Sequence, residues 1–266
     1  MSSLHIAIAG ATGRIGKRLV VLANGLPDMQ VGSALARKNH PELGRDAGEL
    51  AGIGAIGVKL ADAISLDPQP KVLIDFTNPE SFRHWLHVCV SHRIPMVVGT
   101  TGLSKADLHK IDEAALVIPI LQATNTSMGV AVLNLVAAKM AKLLGDDFDI
   151  EIVETHHRYK KDSPSGSALT LADRILEATG KTRSDLDIGR GESSDARAVG
   201  KIALHSVRVG DVTGTHTVHF GGDGERLEIT HSATNRDVFA QGALRAASWL
   251  AGKGAGRYRI EDVLGV

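Results

Sequence analysis

Residues 4–9, LHIAIA, form an apolar run that passes without a break into Gly10-Ala11-Thr12-Gly13-Arg14-Ile15-Gly16. Lys17-Arg18-Leu19-Val20-Val21-Leu22 follows with helical character. A strand, a glycine turn and a helix in that order constrain the chain more than any other stretch does. The turn must be tight, and the helix must begin with unpartnered N–H groups near the strand end. This is the context that a dinucleotide-binding turn requires, because glycines let a pyrophosphate approach the backbone. The spacing is G-x-x-G-x-x-G rather than the commoner G-x-G-x-x-G, and a merely structural turn is the plainer alternative.

The pattern then repeats. Strands are predicted over residues 30–36, 72–76, 95–98 and 117–121, with helices over 80–92 and from Ser104 onward. Strands alternating with helices through about residue 125 imply a parallel, doubly wound sheet, with ligand at the strand C-termini. The turns there are Gly99-Thr100-Thr101-Gly102 and Ala123-Thr124-Asn125-Thr126. After the second strand stands Ala36-Arg37-Lys38, with no carboxylate to hold a ribose 2′-hydroxyl. The two cations can instead be solvated loop charges. Residues 39–57 are rich in glycine and polar groups and are expected to be a long loop. His84, His87, Cys89 and His92 share one helix and are expected to be ordinary helix side chains, not metal ligands.

Residues 129–144 are expected to form a helix with a broad apolar face, and the alternation changes after it. One strand, a helix over 167–179 and a polar loop over 181–200 precede three strand-like runs at 201–209, 215–220 and 225–231. Successive strands mark a second, largely antiparallel or mixed sheet, hence a second domain. The final helix, 236–250, is expected to return to the first domain.

The opening strand of the second domain leads into EIVETHHRYKKDSPSGSA, residues 151–168. It delivers His156, His157, Arg158, Lys160 and Lys161 to the start of a helix. Imidazoles and amines beside free helix N–H groups suit an anionic ligand that must also exchange a proton. A basic surface loop is the alternative. Either Ser163 or Ser165 can cap that helix.

Composition narrows the partners. Thirty basic and thirty acidic residues give a formal net charge of zero, and aromatics are 3%, so non-specific nucleic-acid or membrane binding is not expected. The single cysteine, Cys89, excludes an internal disulfide and a cysteine-based zinc site. No apolar run of membrane-spanning length and no signal segment is read, so a cytoplasmic protein is expected.

The chain resembles the bacterial 4-hydroxy-tetrahydrodipicolinate reductases, also called dihydrodipicolinate reductases, of lysine and diaminopimelate synthesis. The resemblance covers essentially the whole chain. It rests on GATGRIG (10–16), GRDAGELAG (44–52), IDFTNPE (74–80), VVGTTG (97–102), ATNTSMGV (123–130), the 151–168 segment, VRVGDVTGTHTV (207–218) and ERLEITHSATNR (225–236).

The resemblance implies an α/β protein with a Rossmann-like parallel-sheet domain (1–126). An α+β substrate-binding and tetramerisation domain (127–235) and a segment returning to the first domain (236–266) complete it. It implies reduction of a cyclic imine dicarboxylate by NADPH or NADH in a homotetramer. Gly10, Ala11, Thr12, Gly13, Arg14 and Ile15 would hold phosphate, and Arg37 would meet the adenosine end. Gly99, Thr100, Thr101, Ala123, Thr124, Asn125 and Thr126 would line the nicotinamide side. His156 would handle the proton, with Lys160 as second donor, and His157, Ser165, Gly166 and Ser167 would bind substrate. Ala36 stands where some members carry an acid, which speaks for NADPH. Aspartate-semialdehyde dehydrogenases share the first turn but need a nucleophilic cysteine, and Cys89 lies mid-helix among apolar residues. A non-catalytic coenzyme sensor is the reading from another class.

Overall fold

The computed structural model describes residues 3–192 and 195–265, so Ser193 and Ser194 of the expected 181–200 loop lie outside the described residues. Elements of the first part of the chain are β1 (Leu4–Ala9), α1 (Arg14–Asn24), β2 (Met29–Leu35), α2 (Ala47–Ala51), β3 (Leu60–Ala61) and β4 (Val72–Asp75). They continue with α3 (Pro79–His92), β5 (Met96–Val98), α4 (Lys105–Ala115) and β6 (Pro119–Gln122). Then come α5 (Met128–Leu144), β7 (Asp149–His156), α6 (Gly166–Thr179), β8 (Leu186–Ile188), β9 (Ile202–Arg208), β10 (Gly214–Gly222) and β11 (Glu225–Ala233). The chain closes with α7 (Asp237–Leu250) and β12 (Gly256–Tyr258).

Two compact units result, one of residues 1–127 with 237–266 and one of residues 128–236. The first holds a seven-stranded sheet in the order β12-β6-β5-β4-β1-β2-β3, with every pairing parallel. Strand order reverses beside β1, which pairs β2 on one side and β4 on the other. Such a switch point leaves a crevice at the strand C-termini.

Local chemistry sets the helix starts. Asn78 caps α3 by accepting from the Ser81 N–H at 3.0 Å, with Pro79 first in the helix. Ser104 and Asp107 form a capping box on α4. Phe82, Trp85, Leu86 and Cys89 recur at helical spacing on α3 and are buried in the core. The expected loop over 39–57 contains α2, whose Asp46 cap accepts from the Gly48 N–H at 2.8 Å. Helix α7 closes on this unit so tightly that a Cβ on Gly242 would lie 1.7 Å from the Thr126 carbonyl oxygen.

In the second unit the sheet order is β11-β10-β7-β9-β8. It is mixed, because β10 pairs β7 and β11 antiparallel while β9 pairs β7 and β8 parallel. Helices α5 and α6 cover one face, packing Leu133, Ala137, Leu171 and Ile175 on Ile150, Ile152, Leu204, Val218 and Phe220. Contrary to expectation, α5 with the turn after it (Met128–Asp147) spans 20 residues and holds an 18-residue window of mean hydropathy 1.5, long and apolar enough to cross a membrane by length and composition. A core helix passes the same test, and Leu133, Ala137 and Ala141 of α5 are buried in this unit's core.

Candidate active site

The inner face of the second sheet changes character halfway along. Its first rows are apolar: Ile150 and Ile152 on β7, Ile202 and Leu204 on β9, Phe220 and Val218 on β10. Strand alternation then puts Glu154 and His156 on the same face. Register aligns Glu154 with Ser206 and His216, His216 with His231, and His156 with Arg208. Four strands thereby bring ionisable groups to one end of a core otherwise made of hydrocarbon.

Glu154 is completely buried and is surrounded by donors. Arg208 donates to both of its oxygens, at 3.0 and 2.8 Å, and the Ser165 N–H donates at 3.2 Å. Nδ1 of His156 bonds to Oε2. Burial pushes the Glu154 carboxyl up, but the hydrogen bonds from His156 and Arg208 outweigh it and hold the group at about 2. Arg208 also donates to the Asp162 carbonyl at 2.6 Å, tying the loop after β7 to the cluster.

The His156 and His216 rings meet edge to face, with centroids 5.2 Å apart. Burial, and then the charge of His156, push His216 down to about 4. Gly214 supplies the remaining room, since a Cβ there would lie 3.0 Å from Nε2 of His156.

Ser165 is the cap of α6, its hydroxyl accepting from the Ala168 N–H at 3.2 Å and lying 3.3 Å from Nε2 of His216. Its side chain is therefore used inside the protein, while Gly166 and Ser167 begin the helix and are half-buried. Lys160 pairs with Asp162 at 2.8 Å. The His157 ring lies 6.4 Å from that of Tyr159, on the loop side of the strand end.

In the first unit the predicted residues collect at the C-terminal edge of the parallel sheet. The 10–15 turn follows β1, Arg37 follows β2, Gly99–Thr101 follow β5 and Ala123–Thr126 follow β6. Gly10 has φ +80°, and a Cβ there would lie 2.5 Å from the Phe76 carbonyl oxygen, so only glycine fits. Gly13 caps α1 with no side-chain bond, leaving the first turn open to a phosphate. A Cβ on Gly99 would enter the Phe76 ring at 2.4 Å.

Two predicted threonines serve their neighbours with their hydroxyls. Thr126 donates to the Phe239 carbonyl at 2.6 Å. Thr100 donates to buried Asp75 at 2.7 Å, and Thr77 donates to the other Asp75 oxygen at 2.6 Å. Burial pushes Asp75 up to about 6 against those two bonds. Thr12 meets Nε2 of His40 at 3.2 Å, drawing the loop after β2 onto the glycine turn.

Glu154, Arg208, His216 and Asp75 were not singled out from sequence. Only Glu154 had a local signal, the alternation Ile150-x-Ile152-x-Glu154-x-His156. Cys89 is buried, and burial pushes its thiol up, which removes it as a nucleophile. Among the described residues no group of three or more His, Cys, Asp and Glu could hold a metal ion.

A parallel sheet with an open glycine turn, joined in one chain to a unit bearing a buried acid–base cluster, defines the class of two-unit nicotinamide-dependent oxidoreductases. Two family models match along the chain: "Dihydrodipicolinate reductase, N-terminus" over residues 4–126 and "Dihydrodipicolinate reductase, C-terminus" over residues 129–264. The chain belongs to the dihydrodipicolinate reductase family, whose members use NAD(P)H.

A 4-hydroxy-tetrahydrodipicolinate reductase of Myxococcus xanthus (strain DK1622) is 43% identical over 265 residues, covering 98% of each chain. Among solved structures, dipicolinate-bound dihydrodipicolinate reductase from Paenisporosarcina sp. TG-14 is 22% identical with a TM-score of 0.72, covering 98% of this chain and 99% of that one. Aspartate semialdehyde dehydrogenase II of Vibrio cholerae is 13% identical with a TM-score of 0.56, covering 94% of this chain and 98% of that one. These two structural likenesses concern the fold.

Proposed function

We propose that this chain reduces 4-hydroxy-tetrahydrodipicolinate to tetrahydrodipicolinate with NADPH or NADH, in lysine and diaminopimelate synthesis. The observation that carries the reading is the buried Glu154–His156–Arg208 cluster beside the α6 N-terminus. A coenzyme sensor has no need of an acid–base cluster. Loss of reduced-coenzyme absorbance on adding the substrate tests the reading, and coenzyme binding without that loss would favour a sensor.

A bound nicotinamide coenzyme supplies the hydride. Residues Gly10 to Ile15 receive its pyrophosphate at the open start of α1, with Arg37 at the adenosine end. Gly99, Thr100, Thr101 and Ala123 to Thr126 line the nicotinamide side, Thr100 and Thr126 through their backbone. His156 gives the proton, because an imidazole changes charge near neutrality. Lys160 is the second donor, moving from Asp162 to a substrate carboxylate, and His157, Gly166 and Ser167 supply further donors. Ser165 acts by setting where the helix starts.

On this reading residues 1–126 bind dinucleotide, 127–235 bind substrate and assemble a homotetramer, and 236–266 return to the first domain. The cell interior, where reduced coenzyme is available, is the proposed location.

Ala36 offers neither an acceptor to a 2′-hydroxyl nor repulsion to a 2′-phosphate, and Arg37 and Lys38 can pair with that phosphate. A hydrogen bond to a charged group is worth roughly 1.5–3 kcal/mol before solvent screening lowers it. NADPH is therefore expected to serve at least as well as NADH, with a margin that shrinks as salt rises. Ala36→Glu should move the preference towards NADH. Steady-state kinetics with both coenzymes at two salt concentrations decide this, and a strong NADH preference would sink it.

The helix start and Lys160 also specify an inhibitor. Pyridine-2,6-dicarboxylate should compete with substrate, and pyridine-2-carboxylate far less well, because only the first presents two carboxylates. Lys160→Ala should weaken the dianion while leaving coenzyme binding nearly intact. Equal inhibition by both compounds would remove the two-carboxylate pocket from this place.

A further inference from the structure

Glu154 is joined to His156 by a hydrogen bond, yet a carboxylate two residues back on a strand has no assigned part in the reduction. Its surroundings determine its state. Both terminal Arg208 nitrogens and the Ser165 N–H point at its oxygens. A protonated carboxyl would add a fourth donor to a group already met by donors, so the carboxylate is ionised and accepts from Nδ1 of His156. The proton of the neutral ring then sits on Nδ1, and Nε2 is the free nitrogen. Gly214 opens the space over that nitrogen, since a Cβ there would come within 3.0 Å of it.

We propose that Glu154, anchored by Arg208, is a positioning residue that keeps a proton on Nδ1 of His156 and so assigns Nε2 as the nitrogen that protonates the substrate. The inference rests on the reductase reading. Hydride adds to the unsaturated ring and leaves an electron pair on a neighbouring carbon. The Nε2–H bond breaks, its electron pair stays on the imidazole, and a C–H bond forms. The neutral ring regains its proton from solvent, while the Nδ1 proton stays on the ring and donates to Glu154 throughout.

The groups that face His156 come from every neighbouring element. They are Glu154 on its own strand, Arg208 on β9, and His216 on β10 with His231 beyond it on β11; in the following loop Lys160, paired with Asp162, acts on His216. Glu154 is the carboxylate in direct contact with the ring, so its charge is the one whose removal reaches His156 most directly.

Glu154→Gln keeps the shape and removes the charge. It should lower kcat by on the order of 10²-fold with little change in KM, less than loss of the imidazole itself. The alkaline limb of the kcat profile should move to lower pH, and Glu154→Asp should recover part of both effects. A purely structural role would reduce the yield of folded enzyme without moving that limb, and an unmoved limb overturns the proposal. Should Glu154→Gln fail to fold because Arg208 has lost its partner, histidine ¹⁵N spectra of the unmodified protein decide instead. Recorded at alkaline pH, where the ring is neutral, the His156 signals, identified by their loss in His156→Asn, should report the tautomer protonated on Nδ1; a neutral ring protonated on Nε2 overturns the proposal. If the unmodified protein does not oxidise reduced coenzyme with substrate, the reductase reading has failed, and the ¹⁵N result still judges the tautomer.

Discussion

His156→Ala is expected to lower kcat by on the order of 10²–10⁴-fold, the loss that follows removal of a general acid. KM should change little, because the carboxylate donors at Lys160 and the start of α6 remain. Glu154 keeps Arg208 as a partner in this variant, so the buried carboxylate is not stranded and the fold should survive. His157→Ala should behave differently and chiefly raise KM. The distinction follows from strand geometry. His156 ends β7 on the buried inner face, while His157 begins the loop and is half-buried. Steady-state kinetics on both variants check it, and equal losses in kcat and KM in the two would erase the division of roles.

The second large effect is in the response to acid, where the two units should move in opposite directions. His216 is 3% exposed and its folded-state value is about 4, below the ordinary 6.5 of histidine. Its stability contribution is present above 6.5 and is lost as pH falls towards 4, where the unfolded chain binds the proton first. A difference of that size corresponds to roughly 3 kcal/mol. His231 is also held down by burial and adds to the same trend.

Asp75 has the opposite sign. Its folded-state value is about 6 against an ordinary 3.8, so its contribution is complete below 3.8 and is lost as pH rises through 6. The magnitude is again roughly 3 kcal/mol. Between pH 6 and 4.5 the second unit should therefore loosen while the first tightens. Hydrogen exchange resolved by segment, corrected for intrinsic rates, measures this. His216→Asn should flatten the slope in residues 128–236, and Asp75→Asn the slope in the parallel-sheet unit. Slopes of one sign in both units would contradict the assignment. Below about pH 4 Glu154 joins the loss, since its folded value is held at about 2.

Most of the parallel-sheet unit was legible because its signals are local. Apolar runs of strand length, glycine turns and helix caps such as Asn78 and Ser104 depend on neighbours within a few positions. The two-residue β3 and three-residue β8 and β12 escaped because they are short and lack the apolar run that marks the equally short β5. The cap of α6 was open between Ser163 and Ser165, since both have the right chemistry. Only the folded chain selects Ser165, whose N–H is committed to Glu154 and whose hydroxyl meets the Ala168 N–H.

By itself, then, the sequence determined the alternation of strands and helices, the change of architecture after α5, and the chemistry of the His156–Lys160 segment. It could not determine the company of Glu154. Arg208 and His216 lie far along the chain and reach Glu154 and His156 only through the registers of β9 and β10 on β7. Side-chain period is local, but strand register, desolvation and the field of a distant guanidinium are properties of packing. Those are what turn a glutamate that reads as an ordinary strand residue into a buried anion against a histidine.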